Sequence, residues 1–206
     1  MKIIDISMPI HEEMPVYKDR KEKSPEIKII SDHQQGEVRE TEIKMNLHTG
    51  THFDAPLHMV AGAETMETYS LDKFITPCRV LDLTEKDEKI TARDLKEQEI
   101  NEDEFILFKT RNSFADNFTT DFVYLEQTGA EFLAEKQIKG VGTDSLGIER
   151  AQPDHKTHKT LLSREIIILE GLRLKEVAAG AYKLLALPLR IANVEAAPAR
   201  AFLLPD

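Results

Sequence analysis

From His48 to His58 the chain reads His-Thr-Gly-Thr-His-Phe-Asp-Ala-Pro-Leu-His, which places three of its seven histidines and a carboxylate within eleven residues. The run is a poor helix. Gly50 and two threonines separate the first two histidines, no glutamate follows His48 as a helical zinc-protease motif requires, and Pro56 closes the segment. The residues before it, 37–48, alternate. Ile43, Met45 and Leu47 are apolar, while Glu42, Lys44, Asn46 and His48 are polar, a pattern that predicts a half-buried strand with its even positions on one face. His48, His52 and Asp54 share that parity. On a straight strand they would spread along ~20 Å, so a bend is needed to bring them together, and Gly50 is suited to supply it.

Imidazole nitrogen and carboxylate oxygen suit zinc, iron, manganese or nickel. Two histidines and one aspartate leave coordination positions open, as a catalytic site needs and a structural one does not. A second group of candidates lies far along the chain: Asp154, His155, His158 and Glu170. Glu170 follows the apolar run Ile166-Ile167-Ile168-Leu169, so it is expected to be at least partly buried, and buried charges are paired or metal-bound. Asp144 ends a predicted strand and is a candidate either to orient a ligand imidazole or to cap a loop. His11 and His33 lie in polar segments and read as solvated.

The rest of the chain predicts a mixed α/β protein. Strands are expected at Ile3–Ser7, Arg79–Leu83 after a break at Pro77, Phe105–Thr110, Gly140–Asp144, Ile166–Leu169 and Tyr182–Leu187. Helices are expected after Thr91, with Asp94 completing a capping box, and from Glu126 to Lys136. Residues 11–27 are charged and proline-bearing and predict an exposed irregular segment. No repeat or linker divides residues 1–206, which read as one domain. A net charge of −10 argues against a chain built to grip nucleic acid and against a polybasic membrane anchor. The opening MKIIDISMPIHEEM meets acidic residues at once and predicts no signal peptide, and no apolar run is long enough to span a membrane, so the cytoplasm is the expected compartment. The single cysteine, Cys78, excludes an internal disulfide and thiolate metal clusters; it reads as a small residue ending the loop after Pro77.

The run from His48 to His58 keeps every position of H-x-G-T-H-x-D-A-P-x-H. It resembles the signature of the cyclase family of metal-dependent hydrolases, which includes the bacterial kynurenine formamidases and the isatin hydrolases. His158, twelve residues before Glu170, is similar to a second family pattern and is favoured over His155 by that spacing. Asp5-Ile6-Ser7 with Pro9, Gly142-Thr143-Asp144 and Ala197-Pro198-Ala199-Arg200-Ala201 are also similar, so the resemblance covers nearly the whole chain. It implies an α/β fold of the swivelling β/β/α type, a mixed barrel-like sheet flanked by helices. It implies two divalent metal ions per chain, zinc first and manganese as the alternative. His48, His52 and Asp54 would hold one ion, and Asp54, His158 and Glu170 the other, with Asp54 bridging. His58 would be the catalytic proton-transfer residue. A homodimer or higher homo-oligomer, with site walls lent by a neighbour, is implied as well.

The chain departs from the kynurenine formamidases in one stretch. They usually carry a Trp-Pro-Gly-Asp-like segment near the N-terminus that walls the aryl pocket, whereas this chain has no tryptophan and reads Val16-Tyr17-Lys18-Asp19-Arg20. Tyr17 is therefore the candidate substrate-binding residue. The leading expectation is a metal-dependent hydrolase cleaving the C–N bond of a small amide, with N-formylkynurenine as the best single substrate. A hydrolase of a cyclic amide or lactone is the alternative, and a non-catalytic metal-binding protein the third. His58 separates the last from the others, since a mere binder needs no proton-transfer residue beside its ligands.

Overall fold

The computed structural model describes residues 2–205 apart from 35, 116 and 118. Its strands are β1 (Ile4–Asp5), β2 (Glu26–Ser31), β3 (Glu40–Lys44), β4 (His52–Asp54), β5 (Ile75–Asp82), β6 (Lys89–Ile90), β7 (Phe105–Lys109), β8 (Tyr124–Leu125), β9 (Gly140–Thr143), β10 (Ile167–Glu170), β11 (Gly180–Pro188) and β12 (Ala196–Pro205). Three α-helices are found among the described residues: α1 (Ala92–Lys96), α2 (Gln127–Glu135) and α3 (Lys156–Leu162). β12, β11, β5, β7, β9, β10 and β4 pair in that order, and β4 pairs again with β12, so seven strands close into a mixed barrel-like sheet. β1 adds to the free half of the β12 edge. This is the barrel-like mixed sheet expected from the resemblance.

The sheet separates two apolar cores, and strand alternation sorts side chains between them. Phe53, Phe105, Leu107, Ile167, Leu169, Leu184 and Leu203 fill the barrel. Ile106, Phe108, Val141 and Ile168 point outward, where Leu95 of α1, Ala130 and Leu133 of α2 and Leu161 and Leu162 of α3 cover them. α1 starts as expected: Thr91 donates to Asp94 from its backbone N at 2.8 Å and its Oγ1 at 2.6 Å.

Several expectations need correction. The alternating segment 37–48 is no half-buried strand. It yields only β3, which pairs with β2 in a two-stranded hairpin and is solvent-exposed along its whole length. The strand ends before His48, and a turn intervenes before β4. Pro77 does not break the chain. It lies inside β5, one residue before β7 begins to pair at Cys78, where its missing N–H disturbs no bond to β7. Cys78 is consequently a buried strand residue and not the end of a loop. The 11–27 segment is irregular, but Met14 and Val16 are buried against Met8 and Leu146.

Candidate metal centre

Asp54 ends β4, a strand of three buried residues. Phe53 enters the barrel, so His52 and Asp54 face outward. β10 runs antiparallel to β4, with Glu170 opposite His52 and Ile168 opposite Asp54. Outside β10 lies α3. Leu161 and Leu162 anchor it to the outer core, and His158, one turn earlier than Leu161, lies on the same side. Two glycines fasten the parts together. Gly50 takes the left-handed conformation, φ +71, and so supplies the bend between His48 and His52. Gly171, φ +72, follows β10 with its Cα so close to Gly50 that an added Cβ would lie 2.3 Å from the Gly50 carbonyl oxygen.

The result is a convergence of three imidazoles on two carboxylates. His48 Nδ1 lies 2.8 Å and His52 Nε2 3.5 Å from Asp54 Oδ1. His158 Nε2 lies 3.8 Å from the other oxygen, Asp54 Oδ2. Glu170 spans the same gap, with Oε2 3.6 Å from His52 Nε2 and Oε1 3.7 Å from His158 Nε2. Oε1 also accepts a hydrogen bond from the Ile148 backbone N at 2.6 Å. His52 Nδ1 lies 2.9 Å from the Gly50 carbonyl; donation there turns Nε2 toward the carboxylates.

These residues fit a metal. His52 Nε2 and Asp54 Oδ1 are buried without a hydrogen-bond partner of good geometry among the described residues, which for polar atoms is costly unless a cation receives them. Burial would raise the Asp54 pKa, but His48 and His52 hold it well below the usual carboxylate value. Burial would lower the two buried imidazoles. For His52 the Asp54 and Glu170 carboxylates outweigh it and raise the pKa. For His158 the Glu149 and Glu170 carboxylates do so and push it up to about 10. In the metal-free protein the imidazoles thus hold protons that balance buried negative charge, the positions a divalent cation would take over.

His58 reaches the same place by a different route. It ends the 3-10 turn Pro56–His58, where Pro56 fixes the first position, and its backbone N donates to Ala55 O at 2.9 Å. Its ring lies 4.2 Å from that of His48 and 5.7 Å from that of His158, centroid to centroid. Burial pushes its pKa down, which keeps the imidazole neutral near pH 7. One of its nitrogens also falls in a tight group with His48 and Asp54, so position alone does not separate ligand from proton carrier. Tyr17, half-buried, lines a cavity of about 390 Å³ together with His48, Asp54, His58, His158 and Glu170. All seven expected site residues except His52, which lies just beneath, thus line this one cavity.

Sequence reasoning missed Glu149. It is buried, and accepts from the Thr157 backbone N at 2.9 Å and from Gln152 Nε2 at 3.2 Å. Its Oε1 lies 2.9 Å from Nδ1 of both His158 and His155. Its charge lies beside the His158 ring, whose Nε2 faces Asp54, a placement like the carboxylate–imidazole pairs that orient metal ligands, although His158 Nδ1 makes no hydrogen bond of good geometry among the described residues. His155 is largely exposed and faces Glu149 instead of the centre. The orienting role considered for Asp144 therefore falls to Glu149. Asp144 caps the turn at Arg111–Phe114, accepting from the Thr110 and Ser113 backbone N atoms at 2.6 and 3.1 Å and from their hydroxyls at 2.8 and 2.7 Å. The available signal was that Glu149 is the next acid after Asp144, six residues before His155.

Residues 4–150 match the Cyclase family model, described as "Putative cyclase". The kynurenine formamidase of Salinibacter ruber (strain DSM 13855 / M31) is 31% identical over 206 residues, covering 98% of this chain and 97% of that protein. A solved structure described as a potential metal-dependent hydrolase with cyclase activity is 49% identical, with a TM-score of 0.92 over 98% of this chain and 96% of the other. Isatin hydrolase A from Labrenzia aggregata, 24% identical, shares the fold with a TM-score of 0.84 over 98% and 93% of the two chains. The chain belongs to the Cyclase family of metal-dependent hydrolases.

Proposed function

We propose that the centre holds two divalent ions, zinc first and manganese as the alternative, and hydrolyses the C–N bond of an aryl formamide, with N-formylkynurenine the leading substrate. The observation that carries this is the buried pair Asp54 and Glu170, each lying between His52 and His158 with its two oxygens turned to different imidazoles. Two carboxylates so placed can each serve two ions. His48, His52 and Asp54 would hold one, and Asp54, His158 and Glu170 the other. Bound divalent ions supply a water nucleophile near neutral pH, by lowering its pKa to ~7, and polarise the substrate carbonyl.

The chain supplies the rest. Cleavage of an amide must place a proton on the departing nitrogen, and the neutral, cavity-lining His58 imidazole is suited to carry one. The Gly50 carbonyl accepts from His52 Nδ1, and the Glu149 carboxylate lies beside His158 Nδ1, so both rings present Nε2 toward the carboxylates. Tyr17 offers an aromatic face to the substrate at the cavity wall. One observation favours a second reading: with tyrosine in place of the tryptophan and the Pro-Gly turn absent, the aryl wall differs from that of the formamidases, which leaves a cyclic amide or lactone as the alternative substrate.

The chain would work as a single domain and as a homodimer or higher homo-oligomer in the cytoplasm. In support, the β2–β3 hairpin exposes Ile29 and Ile43 at 48% and 50%, and a two-stranded hairpin is marginal unless something packs against it. No helix among the described residues is long and apolar enough to cross a membrane. The test of the reading is turnover of N-formylkynurenine, isatin and simple lactones by protein reconstituted with zinc or manganese. Formate release from the first is expected; cleavage of isatin or a lactone alone would move the assignment to the second reading.

A further inference from the structure

The strand that closes the barrel brings one more carboxylate to the metal centre, from a separate part of the chain. β12 pairs with β4 so that Ala196 lies opposite Asp54, and one residue earlier the Ala55 backbone N donates to Glu195 O at 2.9 Å. The backbone at Glu195 is thereby fixed beside β4. Ala196 and Ala197 follow it and are fully buried, so the Glu195 side chain stands at the start of the strand, half-buried, next to His48. Its Oε1 lies 3.2 Å from His48 Nε2 in hydrogen-bonding geometry.

The two nitrogens of His48 are placed differently. Nδ1 lies 2.8 Å from Asp54 Oδ1, yet that pair lacks hydrogen-bonding geometry, and Asp54 Oδ1 has no hydrogen-bond partner among the described residues. Two polar atoms so close without a proton aimed between them are placed as neighbouring ligands of one cation, whose bonds to nitrogen and oxygen are about 2 Å long. In a neutral imidazole one nitrogen carries the proton and the other the lone pair. With the Nε2 proton given to Glu195, the lone pair of Nδ1 faces the centre. His52 and His158 turn Nε2 toward the carboxylates, so His48 must take the tautomer opposite to theirs. The ring faces offer no polar anchor of their own: His58 lies against His48 at 4.2 Å and His52 meets it edge-on at 5.2 Å, centroid to centroid.

We propose that Glu195 is a positioning residue of the metal centre: it accepts the Nε2 proton of His48 and so presents Nδ1 of that ring, and not Nε2, to the ion. The hydrogen bond made by one ring nitrogen sets which nitrogen binds metal. The inference rests on the metal-dependent reading above and adds a residue that touches neither ion nor substrate. It also explains why the strand closing the barrel starts beside β4 with an acid.

The experiment titrates zinc alone into the metal-free full chain and records long-range proton–nitrogen correlations of the histidine rings in the zinc-loaded protein. His48 is expected as the Nε2–H tautomer with Nδ1 bare of hydrogen. Glu195→Ala should weaken zinc binding by about 10–100-fold, the usual cost of losing such an outer partner. Glu195→Gln keeps a neutral acceptor and should recover part of that loss. In a His48→Ala background, Glu195→Ala should cost nothing further. The melting temperature of the metal-free protein should be the same with glutamate, glutamine or alanine at 195. An Nδ1–H tautomer at His48, or zinc affinity unchanged in Glu195→Ala, would overturn the inference while leaving the metal reading intact. A loss of affinity that persists undiminished in the His48→Ala background would also overturn it. Failure of the unaltered protein to bind zinc would instead sink the metal reading and the inference with it.

Discussion

Asp54 can face His48 and His52 with one oxygen and His158 with the other because β4 turns it outward at the point where α3 crosses β10. Substitutions should therefore separate the roles around it. His52→Ala is expected to lose metal and activity together. His58→Ala should keep nearly all its metal while kcat falls by about 10²–10⁴-fold, the range for a lost proton carrier. Elemental analysis beside steady-state kinetics reads both, and metal loss in His58→Ala as complete as in His52→Ala would make His58 a ligand. Glu149→Gln should weaken metal binding by about 10–100-fold through the loosened His158 ring, with partial recovery in Glu149→Asp. Protons compete for the same atoms. His158, raised to about 10, stabilises the metal-free fold fully below its unfolded value near 6.5 and loses that contribution as pH rises through 10. Zinc must displace that proton, so affinity measured by calorimetry should rise between about pH 6 and pH 9, with net proton release. His48, His52, Asp54 and Glu170 were legible because ligand-type residues crowd into one motif and one strand end. Glu149 was not, since its value depends on the path of the loop from β9 to α3, which no local pattern encodes.

Among the elements, the pair of turns at Gly50 and Gly171 decides whether the two halves of the centre meet. Thr51 strengthens the junction: its Oγ1 donates to Gly171 O at 2.8 Å and accepts from the Met8 backbone N at 2.8 Å. Gly171→Ala would set a methyl group against the Gly50 carbonyl in a left-handed conformation. It should cost about 2–3 kcal/mol in denaturant unfolding and weaken metal binding at the same time. Unchanged stability with full metal content would show that the close approach is dispensable. Continuous apolar runs such as Phe105–Lys109 and Ile166–Leu169 marked their strands plainly. β12 was invisible because Ala-Ala-Pro-Ala-Arg-Ala offers little apolar bulk, although Ala196, Ala197 and Ala201 are fully buried in the crowded barrel wall. α3 is too short for a clear helical period. The alternation of 37–48 was real, but the strand stops at Lys44 and Ile43 turns to solvent, because period alone does not say what a strand will pack against.

At the scale of the whole molecule, closure of the ring through β4 leaves the β2–β3 hairpin outside it, exposing Ile29 and Ile43. If a second copy covers that face, Ile29→Lys with Ile43→Lys should reduce the mass seen in sedimentation toward that of one chain of 23.4 kDa, and an unchanged oligomer would place the interface elsewhere. The candidate ligands come from distant parts of the chain, β4, β10 and α3, so ions bound there would stabilise the fold as well as supply chemistry. Chelation followed by stepwise return of zinc tests both at once, read as turnover, melting temperature and ions bound per chain. Metal-free protein is expected to be inactive and to melt lower, and both properties should return together as two ions bind. Full turnover by demonstrably metal-free protein would contradict that expectation.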